Sequence, residues 1–113
     1  MAQKANIVID QGADFYSEVQ LDTGSELPVS YDLTGHDILA QMRKWHTSTN
    51  YIEFTSEIVD AANGTFSMSL SSDITKDITP GRYVYDAIII DAANTVTRAV
   101  EGIATVSYST TKR

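Results

Sequence analysis

Apolar and polar residues alternate with period two along most of this chain, the pattern of strands buried on one face. Phe15, Ser17, Val19 and Leu21 alternate with Tyr16, Glu18 and Gln20. From His36 to Trp45, Ile38, Ala40 and Met42 share one face while Gln41 and Arg43 take the other. Tyr51 to Val59 places Ile52, Phe54, Ser56 and Ile58 opposite Glu53, Thr55 and Glu57. Phe66, Met68 and Leu70 alternate with Ser67, Ser69 and Ser71. The His36–Trp45 stretch also contains good helix formers, Leu39, Met42, Arg43 and Lys44. A strand is the preferred reading, because each neighbouring segment needs a pairing partner.

Turn chemistry punctuates these runs. A short β-prone run, Ala5 to Ile9, stops at Asp10-Gln11-Gly12. Asp22-Thr23-Gly24-Ser25, a loop through Pro28, and Asp32-Leu33-Thr34-Gly35 separate the next two strands. Asp60-Ala61-Ala62-Asn63-Gly64 ends in Asn-Gly, the strongest short hairpin signal. Asp91-Ala92-Ala93-Asn94 repeats its first tetrapeptide, and similar hairpin loops explain both. Ser72 to Ile78 carries Ile74 and Ile78 four apart behind a Ser/Asp cap, which predicts one helical turn closing an end of the fold. Pro80-Gly81 ends that turn.

Arg82 to Asp91 is a strand with Tyr83, Tyr85, Ala87 and Ile89 on one side. Val84, Asp86, Ile88 and Ile90 lie on the other, so both faces become apolar toward its end. The last strand runs from Thr95 to Tyr108, and the glycine in Glu101-Gly102 predicts a bulge. The end segments, Met1 to Lys4 and Ser109 to Arg113, are expected to be frayed and to order only on assembly. The sum is an all-β, immunoglobulin-like antiparallel β-sandwich of about seven strands with one short helical turn. A single domain fills residues 1–113, with its core over about 5–108. The cysteine–tryptophan–cysteine pattern of antibody domains is missing, so the inference concerns architecture only.

Composition narrows the chemistry. The absence of cysteine rules out disulfides, thiolate metal sites and a thiol nucleophile. The sandwich must therefore hold by packing alone, as proteins of a reducing cytosol do. No apolar run approaches the roughly 18 residues of a membrane-spanning helix. The opening MAQKANIVID lacks a secretory pattern, so the expected site of synthesis is the cytosol. With 15 acids against 8 Lys and Arg, the net charge of −7 disfavours nucleic acid and anionic membranes as partners.

Candidate catalytic and metal-binding residues are sparse. His36 and His46 sit at opposite ends of one expected strand. Ten residues of strand span about 33 Å, too far for one metal ion within a subunit. No Gly-x-Ser-x-Gly turn marks a nucleophile, and no glycine loop suits a phosphate. Asp10 with Asp14, Asp73 with Asp77, and the oxygen-bearing set Asp60, Asn63 and Thr65 are explained by turn formation. Asn63-Gly64-Thr65 matches a glycosylation acceptor but also marks a hairpin turn. The expectations are no catalysis, no cofactor and no metal.

The remaining candidates are contact residues. Arg43-Lys44-Trp45-His46 is a lone basic–aromatic cluster in an acidic chain. Trp45, Ile88 and Ile90 are apolar groups that either meet a partner or, for the two isoleucines, pack in the core. Arg43, Trp45, Ile88 and Ile90 are thus the candidate protein-contact residues. Tyr16, Tyr31, Tyr51 and Trp45 would serve a carbohydrate-binding module if they converged on one face.

Several motifs are familiar in combination: Asp32-Leu33-Thr34-Gly35, then Ala40-Gln41-Met42-Arg43 and the loop His46-Thr47-Ser48-Thr49-Asn50. Pro80-Gly81-Arg82-Tyr83-Val84-Tyr85-Asp86 and Val96-Thr97-Arg98-Ala99-Val100-Glu101-Gly102 follow. Across Asn6 to Val106 the chain resembles small virion proteins of tailed bacteriophages. It is similar to the immunoglobulin-like amino-terminal domain of phage baseplate upper proteins and to small structural proteins of large marine myoviruses. The resemblance implies a virion component at the baseplate, tail or neck, oligomeric in the particle and docked to other virion structural proteins. It implies no catalytic residues. A capsid decoration protein is the alternative, and a carbohydrate-binding module a third reading.

Overall fold

A computed structural model describes residues 3–21 and 32–110. Nine strand segments and one helical turn follow in order: β1 Gln3–Lys4, β2 Ile7–Asp10, β3 Phe15–Gln20, β4 Asp37–Arg43, β5 Ile52–Glu53, β6 Thr55–Asp60, β7 Thr65–Leu70, α1 Ser72–Thr75, β8 Gly81–Ile90 and β9 Val96–Ser107. The larger sheet has the order β1-β9-β8-β4-β5, with β2 also on β9. The smaller sheet has the order β3-β7-β6. The chain crosses between sheets after β2, β3, β5 and β7, which is the immunoglobulin-like two-layer sandwich. The Asp22–Pro28 loop and Tyr31 lie outside the described residues, as do the first two and last three positions.

The core follows the alternation. Ala40 and Met42 of β4, Tyr85, Ala87 and Ile89 of β8, and Val100, Ala104 and Val106 of β9 are buried from one sheet. Phe66, Met68 and Leu70 of β7 are buried from the other. Ala40 and Ala87 are cross-strand partners, so the middle of the large sheet is lined by small residues. The bulky Phe66, Met68 and Leu70 of β7 belong to the same buried cluster as those alanines. The β6–β7 hairpin forms at its Asn-Gly turn, where Gly64 takes φ +66°. The matching Asp91–Asn94 turn places Asn94 at φ +65°, while the Asp91 carboxylate accepts hydrogen bonds from Ala93 N and Thr95 N.

Several expectations need correction. Tyr51–Val59 is not one strand: β5 pairs with β4 in the large sheet, and β6 pairs with β7 in the small one. Phe54 sits at the switch, buried, with its backbone N–H bonded to Ala40 O. Lys4 is not a frayed end, because Gln3 and Lys4 pair with Val100 and Glu101. That pairing and the β2–β9 pairing are parallel, the exceptions in an otherwise antiparallel sandwich. Ser109, at the other end, donates its N–H to Gln11 Oε1.

The bulge of β9 lies at Ala99, where the register with β8 slips between Ala87 and Ile88, and not at Gly102. Gly102 serves a different purpose. The first strand breaks at Ala5-Asn6 as it crosses β9, and a Cβ on Gly102 would stand 2.0 Å from Ala5 O. Tyr85, the cross-strand partner of Gly102, donates its hydroxyl to Ala5 O, and Asn6 Oδ1 accepts from Ile103 N. Burial raises the Tyr85 phenol above its ordinary pKa, so it remains a donor at neutral pH.

The helical turn forms as expected, but its role is polar as much as apolar. Ile78 is buried while Ile74 is exposed, because one turn is too short to present an i, i+4 pair to a core. Thr75, fully buried, donates its hydroxyl to Ala13 O at 2.8 Å and accepts from Gly12 N at 3.2 Å. The Asp14 carboxylate caps Ser72 N at 2.7 Å. Thr75→Val keeps the shape and orphans two backbone groups. It is expected to cost about 1–3 kcal/mol in urea denaturation, against a few tenths for Ile74→Thr on the exposed side.

The Asp32–Gly35 segment is an Asx-type turn: Asp32 Oδ1 accepts from Thr34 N at 2.9 Å and from Thr34 Oγ1 at 2.6 Å. These bonds, the side-chain one first, hold the Asp32 carboxyl below its ordinary pKa. The contribution of a carboxyl lowered on folding is present above its unfolded pKa and disappears as pH falls through the folded value. Thr34→Val is therefore expected to move the Asp32 titration upward, toward that of an unperturbed aspartate, in a carbon-detected NMR titration. An unchanged midpoint would show that the Thr34 hydroxyl does not hold the carboxylate.

Candidate interaction face

Period two sends Leu39, Gln41 and Arg43 of β4, and Val84, Asp86, Ile88 and Ile90 of β8, to the outer side of the large sheet. Register aligns them with β9 in four rows: Asp37–Ile90–Val96, Leu39–Ile88–Arg98, Gln41–Asp86–Glu101 and Arg43–Val84–Ile103. The bulge at Ala99 does the decisive work. It turns Arg98 and Glu101, three positions apart, onto the same face. Arg98 Nη1 lies 3.0 Å from Glu101 Oε2, and Arg98 Nε lies 3.4 Å from Asp86 Oδ2. A charged band thus crosses the face, with apolar residues on both sides. Leu39, Ile88, Ile90 and Val96 lie toward one end, and Val84, Ile103 and Val8 toward the other. The pairs are half-exposed, where an ion pair contributes little to stability.

Beyond β4, the chain from Lys44 to Tyr51 forms a loop pinned by Arg43. Its Nη1 donates to Ser48 O at 2.6 Å and its Nη2 to Gln41 Oε1 at 2.9 Å, while the guanidinium lies 4.7 Å from the Tyr51 ring centre. Trp45, 65% exposed, lies on this loop, and its backbone N–H donates to Ser48 Oγ. Lys44 Nζ sits 5.0 Å from the Tyr83 ring and 6.0 Å from that of Trp45.

Of the four candidate contact residues, Arg43, Ile88 and Ile90 share the outer face. Ile88 and Ile90 are half-buried there, while Ile89 between them faces the core. Trp45 is on the loop at the Arg43 end, whereas Ile90 pairs with Asp37 at the other end of β4. The four do not form one patch. Leu39 follows the same alternation and stands exposed beside Ile88 on this face. Arg98 and Glu101 were hidden, since alternation alone puts residues three apart on opposite faces.

The aromatic set does not converge. Tyr51 and Trp45 share the loop, but Tyr16 lies on the outer side of the small sheet. Its hydroxyl donates to Glu18 Oε2 at 2.7 Å, a bond that raises the phenol pKa. His36 precedes β4 and His46 follows it. Asp60 accepts a hydrogen bond from Asn63 Nδ2, a turn contact. No group of three or more His, Cys, Asp or Glu among the described residues is arranged to hold a metal ion.

Comparison with known proteins gives limited company. No family model matches the chain, and no curated protein matches it. Among solved structures, an internalin-like protein of Listeria monocytogenes is similar over 96% of this chain at 11% identity and a TM-score of 0.45. The chain spans 28% of that protein's length. AggA, the major subunit of aggregative adherence fimbriae type I of Escherichia coli, is similar over 94% of this chain and 91% of its own, at 9% identity and a TM-score of 0.41. The class of protein is set by the strand order: an immunoglobulin-like β-sandwich.

Proposed function

We propose that this chain is a structural component of a tailed-phage virion, placed at the baseplate, tail or neck, and that it catalyses nothing. The observation that carries the reading is the apolar set left on the outer face of the large sheet, with Val96 57% and Val8 62% exposed. A rigid face of this kind calls for cover by another protein. The sequence motifs Asp32–Gly35, Ala40–Arg43, Pro80–Asp86 and Val96–Gly102 support the phage assignment. Docking runs through Arg43, Trp45, Ile88 and Ile90, extended by Leu39 and Val96. The partners are other virion proteins, with the chain made in the host cytoplasm and ending in the particle. Neither nucleic acid nor a membrane is among them.

Amine cross-linking of purified virions, followed by mass spectrometry, tests this directly, because Lys4 and Lys44 flank the face. Links from either lysine to tail, neck or baseplate proteins are expected, together with reduced incorporation of an Ile88→Asp, Ile90→Asp variant. Recovery with heads stripped of tails would make the chain a decoration protein. Absence from purified particles would reject the virion reading.

A further inference from the structure

In an acidic chain, Lys4, Arg43, Lys44 and Arg98 gather around two adjoining depressions at the Arg43 end of the large sheet. One, of about 490 Å³, lies between Lys4, Gln41, His46, Asp86 and Arg98. The other, of about 350 Å³, lies between the end of β4, loop residues Ser48 to Ile52, and Tyr83. Arg43 lines both.

The cations differ in how they are balanced. Arg98 is neutralised by Asp86 and Glu101. Arg43 has no carboxylate at ion-pair distance among the described residues, and the groups that hold it are a carbonyl oxygen, an amide oxygen and an aromatic ring. Lys44 likewise lies between two aromatic rings. Neutral acceptors fix the Arg43 guanidinium while leaving its charge uncompensated. A pre-positioned cation of this kind spends little entropy in binding an anion.

Around it stand the exposed Tyr51, stacked on the guanidinium by one ring face, and the hydroxyl and amide groups of Ser48, Thr49 and Asn50, with the exposed Trp45 on the same loop. A ligand that uses all three features needs a carboxylate, a flat C–H-lined ring and several hydroxyls. We propose that this end of the sheet binds an acidic sugar, a hexuronate or sialic acid unit of a surface glycan. Its carboxylate meets Arg43 and Lys44, and its ring lies against Tyr51 or Trp45. An acidic peptide would satisfy the cations but leaves the ring faces without a matching surface. The site shares Arg43 and Trp45 with the proposed docking set but lies apart from Leu39, Ile88, Ile90 and Val96 at the apolar end of the sheet.

The test is a ¹H–¹⁵N NMR titration of the whole chain with trigalacturonate, a mannuronate trimer and sialyllactose, alongside neutral maltotriose and tetraglutamate. At least one acidic sugar is expected to give saturable shifts confined to residues 43–51, 83 and the Trp45 indole, with none from maltotriose. Arg43→Gln should weaken that binding about tenfold or more, as loss of a charge-assisted contact does. Since Arg43 also pins the loop, Lys44→Gln and Trp45→Ala, which remove exposed groups, are each expected to weaken binding in a folded protein. The proposal is overturned if no acidic sugar shifts these amides up to about 10 mM, the weak limit of specific recognition. It is equally overturned if tetraglutamate acts as strongly on the same residues, or if affinity survives all three substitutions.

Discussion

Replacing Gly102 with alanine is expected to destabilise the protein by about 3 kcal/mol and to loosen the first strand from β9. The added Cβ would stand 2.0 Å from Ala5 O and 2.7 Å from Ala5 C, both backbone atoms that no rotamer change can move. The chain must lift away at Ala5-Asn6. Doing so breaks the Ala5 N–H bond to Glu101 O and the Tyr85 hydroxyl bond to Ala5 O. It also loosens the fully buried Ile9 that follows in β2. Urea denaturation reads the total cost, and amide exchange at Val8 and Ile9 reads the local opening. Gly35→Ala is the comparison, since φ there is +76° but nothing lies within 4 Å of the added methyl. It is expected to cost only the 1–2 kcal/mol, roughly, of left-handed backbone. Equal effects at the two glycines would show that β1 and β2 yield without loss.

Phe54→Ala is expected to cost about 3–5 kcal/mol, the range for emptying a buried aromatic site. Phe54 is 3% exposed and lies where the chain leaves one sheet for the other. Its ring centre is 5.9 Å from that of Phe15 in the small sheet and 6.2 Å from that of Tyr85 in the large one. The ring therefore ties the two layers together at the crossover, and truncation loses contacts with both. Phe54→Leu should recover more than half of the loss, because it refills most of the volume. Thermal or urea unfolding of the two variants checks the order. A cost for alanine below about 1 kcal/mol would mean that the two sheets close the gap unaided.

The close approach at Gly102 and the crossover at Phe54 are both invisible in the residue pattern, for related reasons. Gly102 reads as a bulge because glycine inside a strand most often marks one. Its actual demand comes from a segment almost a hundred positions away. Phe54 continues the alternation of Ile52 and Ser56 without a break, since either sheet of a sandwich turns its inward residues to the same core. A switch between sheets leaves the alternation intact, so nothing local announces it.

The candidate face divides along the same line. Leu39, Ile88 and Ile90 were readable as outward positions from their own strands. The meeting of Arg98, Glu101 and Asp86 depends on the slip of β9 against β8 at Ala99, a property of the pair and not of either strand. The stacking of Arg43 on Tyr51 depends on how the intervening loop folds back.

Alternation, turn residues and the absence of cysteine were enough to define an all-β sandwich, its inward residues and its main hairpin. Those properties are local: each strand must hide its own apolar face, and each turn must supply its own backbone geometry. Strand order, the parallel first strand, the sheet switch and the grouping of charges come from contacts between distant segments. Burial rewards the total area removed from water and is indifferent to which strand supplies the neighbour. Packing and hydrogen-bond register therefore made those choices, and only the folded chain displays them.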